Sequence, residues 1–176
     1  MAEREFIPLN IAILTVSDSR SLAEDKSGDV LVGRLQKAGH NLADRKIIRD
    51  ERAQIADQLR TWSADSGVDV VISTGGTGLT GRDVTVEAHH DVYEKEITAF
   101  STYFTLISVK KIGTSAIQSR ACGGVTTGTY LFALPGSPGA CKDGWDEIFA
   151  FQLDYRTLPC NFVEMMPRLE EHKLRG

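Results

Sequence analysis

A chain of 176 residues fits one domain, because single hydrophobic cores grow to roughly 100 to 200 residues before a chain divides, and the domain is read as spanning 1–176. With 41% hydrophobic and 25% charged residues, the composition excludes intrinsic disorder and collagen-like or coiled-coil architectures. The 20 Lys and Arg against 24 Asp and Glu give a formal charge of −4, which leaves no electrostatic footprint for a nucleic-acid backbone.

The first residues, Met1 to Phe6, carry acids where a signal peptide needs positive charge, and Pro8 and Asn10 interrupt the apolar stretch that follows. No apolar run approaches the ~20 residues of a membrane-spanning helix, so a cytoplasmic protein with no membrane partner is expected. Asn10 to Val16 is a nearly continuous apolar run, as in a strand covered on both faces. From Ser27, a plausible cap, Leu31, Leu35 and Ala38 mark an apolar helical stripe that Gly39 stops. A weaker strand, Leu42 to Ile48, leads to Asp50, after which Ile55, Leu59 and Trp62 repeat the helical spacing.

Val68 to Ile72 is the clearest buried strand and runs into Ser73-Thr74-Gly75-Gly76-Thr77-Gly78, a turn whose tightness requires glycine. Asp83 precedes a further helix, and Tyr93, Ile97, Phe100, Phe104 and Ile107 mark one face of a long one, suited to core or subunit contact. Val125 to Tyr130 reads as two short strands around a Gly turn, and Tyr130 to Leu134 enters the sheet. Ser137 as cap and Pro138 as first helical residue start a helix through Trp145, Ile148, Phe149 and Gln152. The stretch of about 155–176 reads as an extended C-terminal arm, free to pack on a neighbouring subunit. Cys122, Cys141 and Cys160 are odd in number and lack a C-x-x-C pair, so three reduced thiols are expected.

Strands alternating with helical patterns predict an α/β fold with a mostly parallel sheet. Ser17-Asp18, Asp50-Glu51, Ser73 to Gly78 and Pro135 to Gly139 each follow a strand, so they converge on the sheet edge where open α/β folds bind ligands. A Gly-rich turn feeding a helix offers backbone N–H groups and partial positive charge to phosphate. Asp18, Asp50 and Asp83 on that edge repel a naked anion, and together they suggest Mg²⁺ between carboxylate and phosphate. Taken singly, Asp50 and Asp83 could equally cap the helices that follow them. Arg82 and Arg120 could balance phosphate charge.

Neighbouring chemistries fit poorly. His89 and His90 splay about 100° apart on a helix and cannot face one metal together. Ser137 lacks the G-x-S-x-G elbow of a serine hydrolase. Gly76-Thr-Gly78-Leu-Thr-Gly81 satisfies the dinucleotide fingerprint, yet the second strand with its terminal acid is replaced by a helical pattern, and no Gly-Lys-Ser/Thr completes a P-loop.

The motifs Thr74-Gly-Gly-Thr-Gly78, Arg82-Asp83, Ile117-Gln-Ser-Arg120 and Leu134-Pro-Gly-Ser-Pro138 resemble those of the molybdenum cofactor biosynthesis protein B family. That family is related to molybdopterin adenylyltransferases and to the gephyrin G domain, and the likeness runs from Ile11 through Asp25-Lys-Ser-Gly28 to Pro159-Cys160-Asn161. The resemblance implies a three-layer αβα fold, homotrimers or hexamers built from them, and adenylylation of molybdopterin by Mg-ATP with release of pyrophosphate. It carries nucleotide and phosphate contacts to Gly75, Gly76, Thr77 and Gly78, and pterin contacts to Ser119, Arg120 and Ser137. Ser17, Asp18, Ser27, Gly28, Thr74, Pro135, Gly136 and Pro138 complete the expected binding set. Asp50, Asp83 and Arg120 are the expected catalytic residues, with Asp50 and Asp83 on Mg²⁺. Val86, where relatives often carry Pro, and Leu22-Ala-Glu-Asp25, where a Gly-containing loop is usual, depart from the pattern. A non-catalytic molybdopterin- or nucleotide-binding paralogue is the alternative reading, and an NAD(P)-dependent oxidoreductase a more distant one.

Overall fold

A computed structural model describes residues 4–174. Its elements in chain order are β1 (Asn10–Val16), α1 (Lys26–Lys37), β2 (Asn41–Ile48), α2 (Arg52–Ser63), β3 (Val70–Thr74), α3 (Thr85–His90), β4 (Lys95–Glu96), α4 (Thr98–Ile112), β5 (Cys122–Thr126), β6 (Thr129–Leu134) and α5 (Pro138–Gly144). The sheet order is β2-β1-β3-β6-β5-β4. β2, β1, β3 and β6 are mutually parallel, β5 runs antiparallel to β6, and the edge strand β4 runs antiparallel to β5.

The apolar runs form central strands because each buries both faces. Ile11 and Ile13 of β1 enter one core with Leu31 and Leu35 of α1, Phe100 and Phe104 of α4, and Cys141 of α5. Ala12, Leu14 and Val16 enter the opposite core with Ile55, Leu59 and Trp62 of α2 and Ala88 of α3. The molecule is therefore three layers, with α1, α4 and α5 on one face of the sheet and α2 and α3 on the other. Phe132 anchors the first core, its ring 4.8 Å from Phe100 and 5.0 Å from Phe149, and each such aromatic contributes about 1.5 to 3 kcal/mol through burial. No helix among the described residues is long and apolar enough to cross a membrane.

Several expected boundaries move. The cap of α1 is Asp25, not Ser27: the Asp25 carboxylate accepts from Gly28 N at 2.9 Å, while Ser27 Oγ donates to the Gly136 carbonyl at 3.1 Å. The long helix begins at Thr98, so Tyr93 and Ile97 lie outside it. Backbone pairing explains the change, with Glu94 N bonded to Val125 O at 3.0 Å and Ile97 N to Gly123 O at 2.7 Å, which adds β4 to the sheet edge. Gly124 makes room for the Tyr93 ring, since a Cβ there would lie 2.4 Å from it.

The two strands around a Gly turn are β5 and β6, with Thr127 and Gly128 both at positive φ (49° and 76°), the twist that a two-residue hairpin needs. After α5 the helix continues through one π turn, Trp145–Phe149, to Gln152. The tail is not extended where described: Phe162–Met165, Met166–Arg168 and Glu171–Leu174 are short helical turns, and Phe162, Met166 and Leu169 pack on the chain's own first core. Residues 175–176 of the expected arm lie outside the described residues.

Candidate functional site

Parallel registry brings the strand ends together. Thr15 of β1 pairs with Thr74 of β3, Thr74 with Leu134 of β6, and Val16 with Ile48 of β2, so the four connecting loops leave the sheet side by side. Their meeting is close enough to specify residues. Gly75 has φ +96°, and a Cβ on it would sit 2.3 Å from the Val16 carbonyl; a Cβ on Gly136 would lie 2.9 Å from Gly75 Cα. Two loops thus touch backbone to backbone, a contact open only to glycine.

Side chains from beneath fix the glycine loop. Thr85 N donates to Gly76 O at 2.9 Å and Thr85 Oγ1 to Gly75 O at 2.8 Å, both buried. Arg120 Nε donates to Thr77 O at 3.2 Å and Nη2 to Gly78 O at 3.0 Å, while the guanidinium also pairs with Glu87. Thr74 Oγ1 donates to Pro135 O at 3.0 Å, tying β3 to the proline loop. Ser137 Oγ accepts from Ala140 N at 3.1 Å with Pro138 behind it, as expected of the helix start.

Above this floor lies a cavity of about 420 Å³, walled by Gly75 to Gly78, Asp50, Asp83, Ser119, Pro135 to Ser137, and Val16, Ser17 and Arg20. Asp50 and the glycine loop are in direct contact: a Cβ on Gly76 would lie 2.7 Å from Asp50 Oδ1. Neither aspartate caps its helix, since Glu51 and Val84 occupy those positions. Asp83 instead closes its own loop, accepting from Thr80 Oγ1 at 2.7 Å and Thr80 N at 2.9 Å.

The two carboxylates have opposite electrostatics. Hydrogen bonds from the Thr80 hydroxyl, then from the Thr80 and Gly78 backbone and the nearby Arg120 charge, hold Asp83 below the usual carboxylate range. Asp50 is held above it, first by burial and then by the Asp18 carboxylate, with Asp83 adding and Arg82 offsetting part. No side-chain donor among the described residues hydrogen-bonds the Asp50 carboxylate. The nearby thiol and imidazole are out of play: burial pushes Cys141 up to about 11 and pulls His89, which is bonded to Ser73 and Tyr93, down to about 3. Amide dipoles and carboxylates therefore face one volume.

A family model described as a probable molybdopterin binding domain matches residues 12–155. Molybdenum cofactor biosynthesis protein B of Escherichia coli K12 is 47% identical over 158 residues, covering 90% of this chain and 93% of that protein. The chain belongs to the molybdenum cofactor biosynthesis protein B family. A crystal structure of a molybdenum cofactor biosynthesis protein B superposes with a TM-score of 0.78 at 32% identity, covering 99% of this chain and 98% of the other. A tungsten cofactor synthesizing protein from Pyrococcus furiosus gives 0.71 at 33% identity, covering 81% and 91%. Membership places the chain in molybdenum cofactor biosynthesis, with molybdopterin as the domain's ligand.

Every wall residue of the cavity falls within the 12–155 span of this protein B family domain. Six residues expected in the site do not line the cavity. Gly28 leaves room for the Asp25 carboxylate, and Ser27 and Thr74 hold carbonyls of the proline loop. Pro138 starts α5, Arg120 braces the glycine loop, and Asp18 accepts from Nε and Nη2 of Arg82 at 2.9–3.0 Å and from Asp50 N at 3.2 Å. Arg20 on the wall, and Thr85 and Glu87 beneath it, escape a sequence reading. Their side chains follow no periodicity or glycine spacing, and only Arg20's place after Ser17-Asp18-Ser19 at a strand end gives a signal.

Among the described residues no three His, Cys, Asp or Glu side chains form a protein-only metal cage. Mg²⁺ needs none, since it keeps waters and takes one or two carboxylates plus substrate phosphates. The Asp50 carboxylate, crowded by two others, fits that demand.

Proposed function

We propose that the cavity transfers AMP from Mg-ATP to the terminal phosphate of molybdopterin. A phosphate oxygen of molybdopterin attacks the α-phosphorus, the bond from that phosphorus to the bridging oxygen of the β-phosphate breaks, and pyrophosphate leaves with the bonding electrons. The single observation that carries the reading is the meeting of the Gly75–Gly78 loop with Asp50 and Asp83 on one cavity. The N–H groups of Gly76 and Thr77 bond no backbone carbonyl among the described residues, and are free for phosphate oxygens.

No general base is required. A phosphate monoester has a second pKa near ~6, so the acceptor arrives mostly as a dianion at neutral pH. The task left to the protein is alignment of two phosphates and compensation of charge. Mg²⁺, when bound, would supply that compensation, with Asp50 as its first protein ligand and Asp83 beside it. We propose too that the chain works as a homo-oligomer in the cytoplasm, since α4 presents a second apolar face to solvent.

ATP consumption by the purified protein, with molybdopterin and against a blank lacking it, tests the reaction. Asp50→Asn and Asp83→Asn should each keep the fold by circular dichroism and lower adenylyl transfer by a factor of about 10² to 10³, the usual cost of one transition-state electrostatic contact. Tight molybdopterin binding with no ATP consumed would reassign the chain as a carrier.

A further inference from the structure

Of the side chains on the cavity wall, one is cationic: Arg20. The two arginines that the sequence offers for phosphate charge are occupied elsewhere, Arg82 by Asp18 and Glu51, and Arg120 by Glu87 and the carbonyls of the glycine loop. Arg20 has no carboxylate partner among the described residues. Its Nη1 and Nη2 both reach a single neutral acceptor, the Gly136 carbonyl, at 3.3 Å. Guanidinium bonds to an anion run about 2.7 to 2.9 Å and are roughly twice as strong as neutral ones, so this contact yields readily to an arriving anion. Gly136 O is not orphaned by the exchange, because Ser27 Oγ also donates to it at 3.1 Å.

Two hydroxyls on the same wall are set as donors. Ser17 Oγ already accepts from the N–H groups of Ser19 and Arg20, at 3.3 and 3.2 Å, and Ser137 Oγ accepts from Ala140 N. Ser17 Oγ has both lone pairs engaged and Ser137 Oγ one of its two, and neither hydroxyl donates within the described residues, so each keeps its own hydrogen for a ligand. A planar fork and two hydroxyls match the three terminal oxygens of a phosphate monoester better than the two of a carboxylate. The carboxylates contact the glycine loop at Gly76 and Gly78, whereas Arg20 is bonded to Gly136 of the proline loop, so cation and carboxylates meet the cavity from different loops.

We propose that Arg20, with the hydroxyls of Ser17 and Ser137, is an anion subsite that selects an acceptor bearing a phosphate monoester. Arg20 leaves the Gly136 carbonyl to bind it, while the cation-accompanied triphosphate lies toward Asp50. The inference rests on the adenylyl-transfer reading for the identity of the acceptor, but the anion subsite itself can be tested without that reaction.

The full chain, labelled with ¹⁵N, is titrated with inorganic phosphate and followed at the arginine Nε–Hε resonances, and Mg-ATP affinity is measured by calorimetry. Phosphate should shift the Arg20 resonance. Its Kd should rise about tenfold or more in Arg20→Ala, as for loss of a charged hydrogen bond, and about threefold in Arg20→Lys, which keeps charge without the fork. Mg-ATP affinity should stay within about twofold, and turnover should show a raised KM for molybdopterin at nearly constant kcat. Unchanged phosphate affinity in Arg20→Ala overturns the proposal, as does an equal loss of Mg-ATP affinity, which would assign Arg20 to the nucleotide. Should the wild-type chain fail to consume ATP, the adenylyl-transfer reading falls, and the phosphate titration still decides the role of Arg20.

Discussion

At the scale of single residues, the sheet is braced by ionisable groups kept away from the ligand. His89 is fully buried between Ser73 Oγ at 2.8 Å and Tyr93 OH at 3.0 Å, and burial, then the neighbouring His90, draws its pKa down to about 3. An unfolded histidine titrates near ~6.5. Between those values the unfolded chain binds one proton more than the folded one, so the contribution of His89 is complete above about pH 6.5 and is lost progressively as the pH falls toward 3. From pH 7 to pH 5 the loss should reach about 2 kcal/mol, at 1.36 kcal/mol per unit. Urea midpoints measured across that range should fall steeply for the wild type and about one proton less steeply for His89→Gln. Parallel curves would show that His89 takes up its proton as readily in the folded protein as in the unfolded chain. Asp25 acts in a lower window. Its burial is outweighed by Thr15, Arg45 and Gly28 N, so its stabilisation persists down to about the unfolded carboxylate range near ~3.9 and is lost below it.

At the scale of elements, the cavity exists because two loops approach at backbone distance. Gly75→Ala would place a methyl group 2.3 Å from Val16 O while holding an L-residue at φ +96°. Strain of this kind costs about 1 to 3 kcal/mol before the clash is counted. Thermal unfolding should shift down accordingly, and molybdopterin affinity should fall further than in Asp83→Asn; a variant with wild-type melting and affinity would disprove the contact. The glycine loop, the Ser137-Pro138 helix start and the buried central strands were legible because each has a local physical cause, namely positive φ, capping chemistry or continuous apolarity. Other features were settled by distant partners. Ser27 and Asp25 both suit a helix cap, and Thr15 and Arg45, remote in sequence, select Asp25. Tyr93 and Ile97 fit the spacing of α4, yet pairing with β5 takes their backbone into the sheet edge. Arg20 stands in a loop with no repeating pattern, and its place on the cavity follows only from the contact of the first loop with Gly136.

At the scale of the molecule, α4 is apolar on more sides than one chain can cover. Phe100, Phe104 and Ile107 face the core, but Tyr103, Leu106, Val109 and Ile112 remain 47–57% exposed, and the exposed Ile117 follows on the path toward Ser119. A contiguous exposed apolar patch marks an interaction surface. A second copy is the occupant in the homo-oligomer proposed above, and the three-residue spacing of Tyr103, Leu106, Val109 and Ile112 winds the patch partly around the helix, giving each copy a broad apolar surface. Sedimentation at tens of micromolar should therefore give an integer multiple of the monomer mass. Leu106→Lys combined with Val109→Lys should yield monomers, because two buried ammonium groups without partners cost more than the lost apolar area returns. Both positions are exposed within one chain, so circular dichroism of the double variant should retain the wild-type helix content. A wild-type chain that sediments as a monomer would refute the assembly. Dissociation should also loosen the segment from Ile112 to Ser119 that leads into the cavity wall, so molybdopterin affinity in the double variant should fall while Arg120 still braces the glycine loop from its own chain.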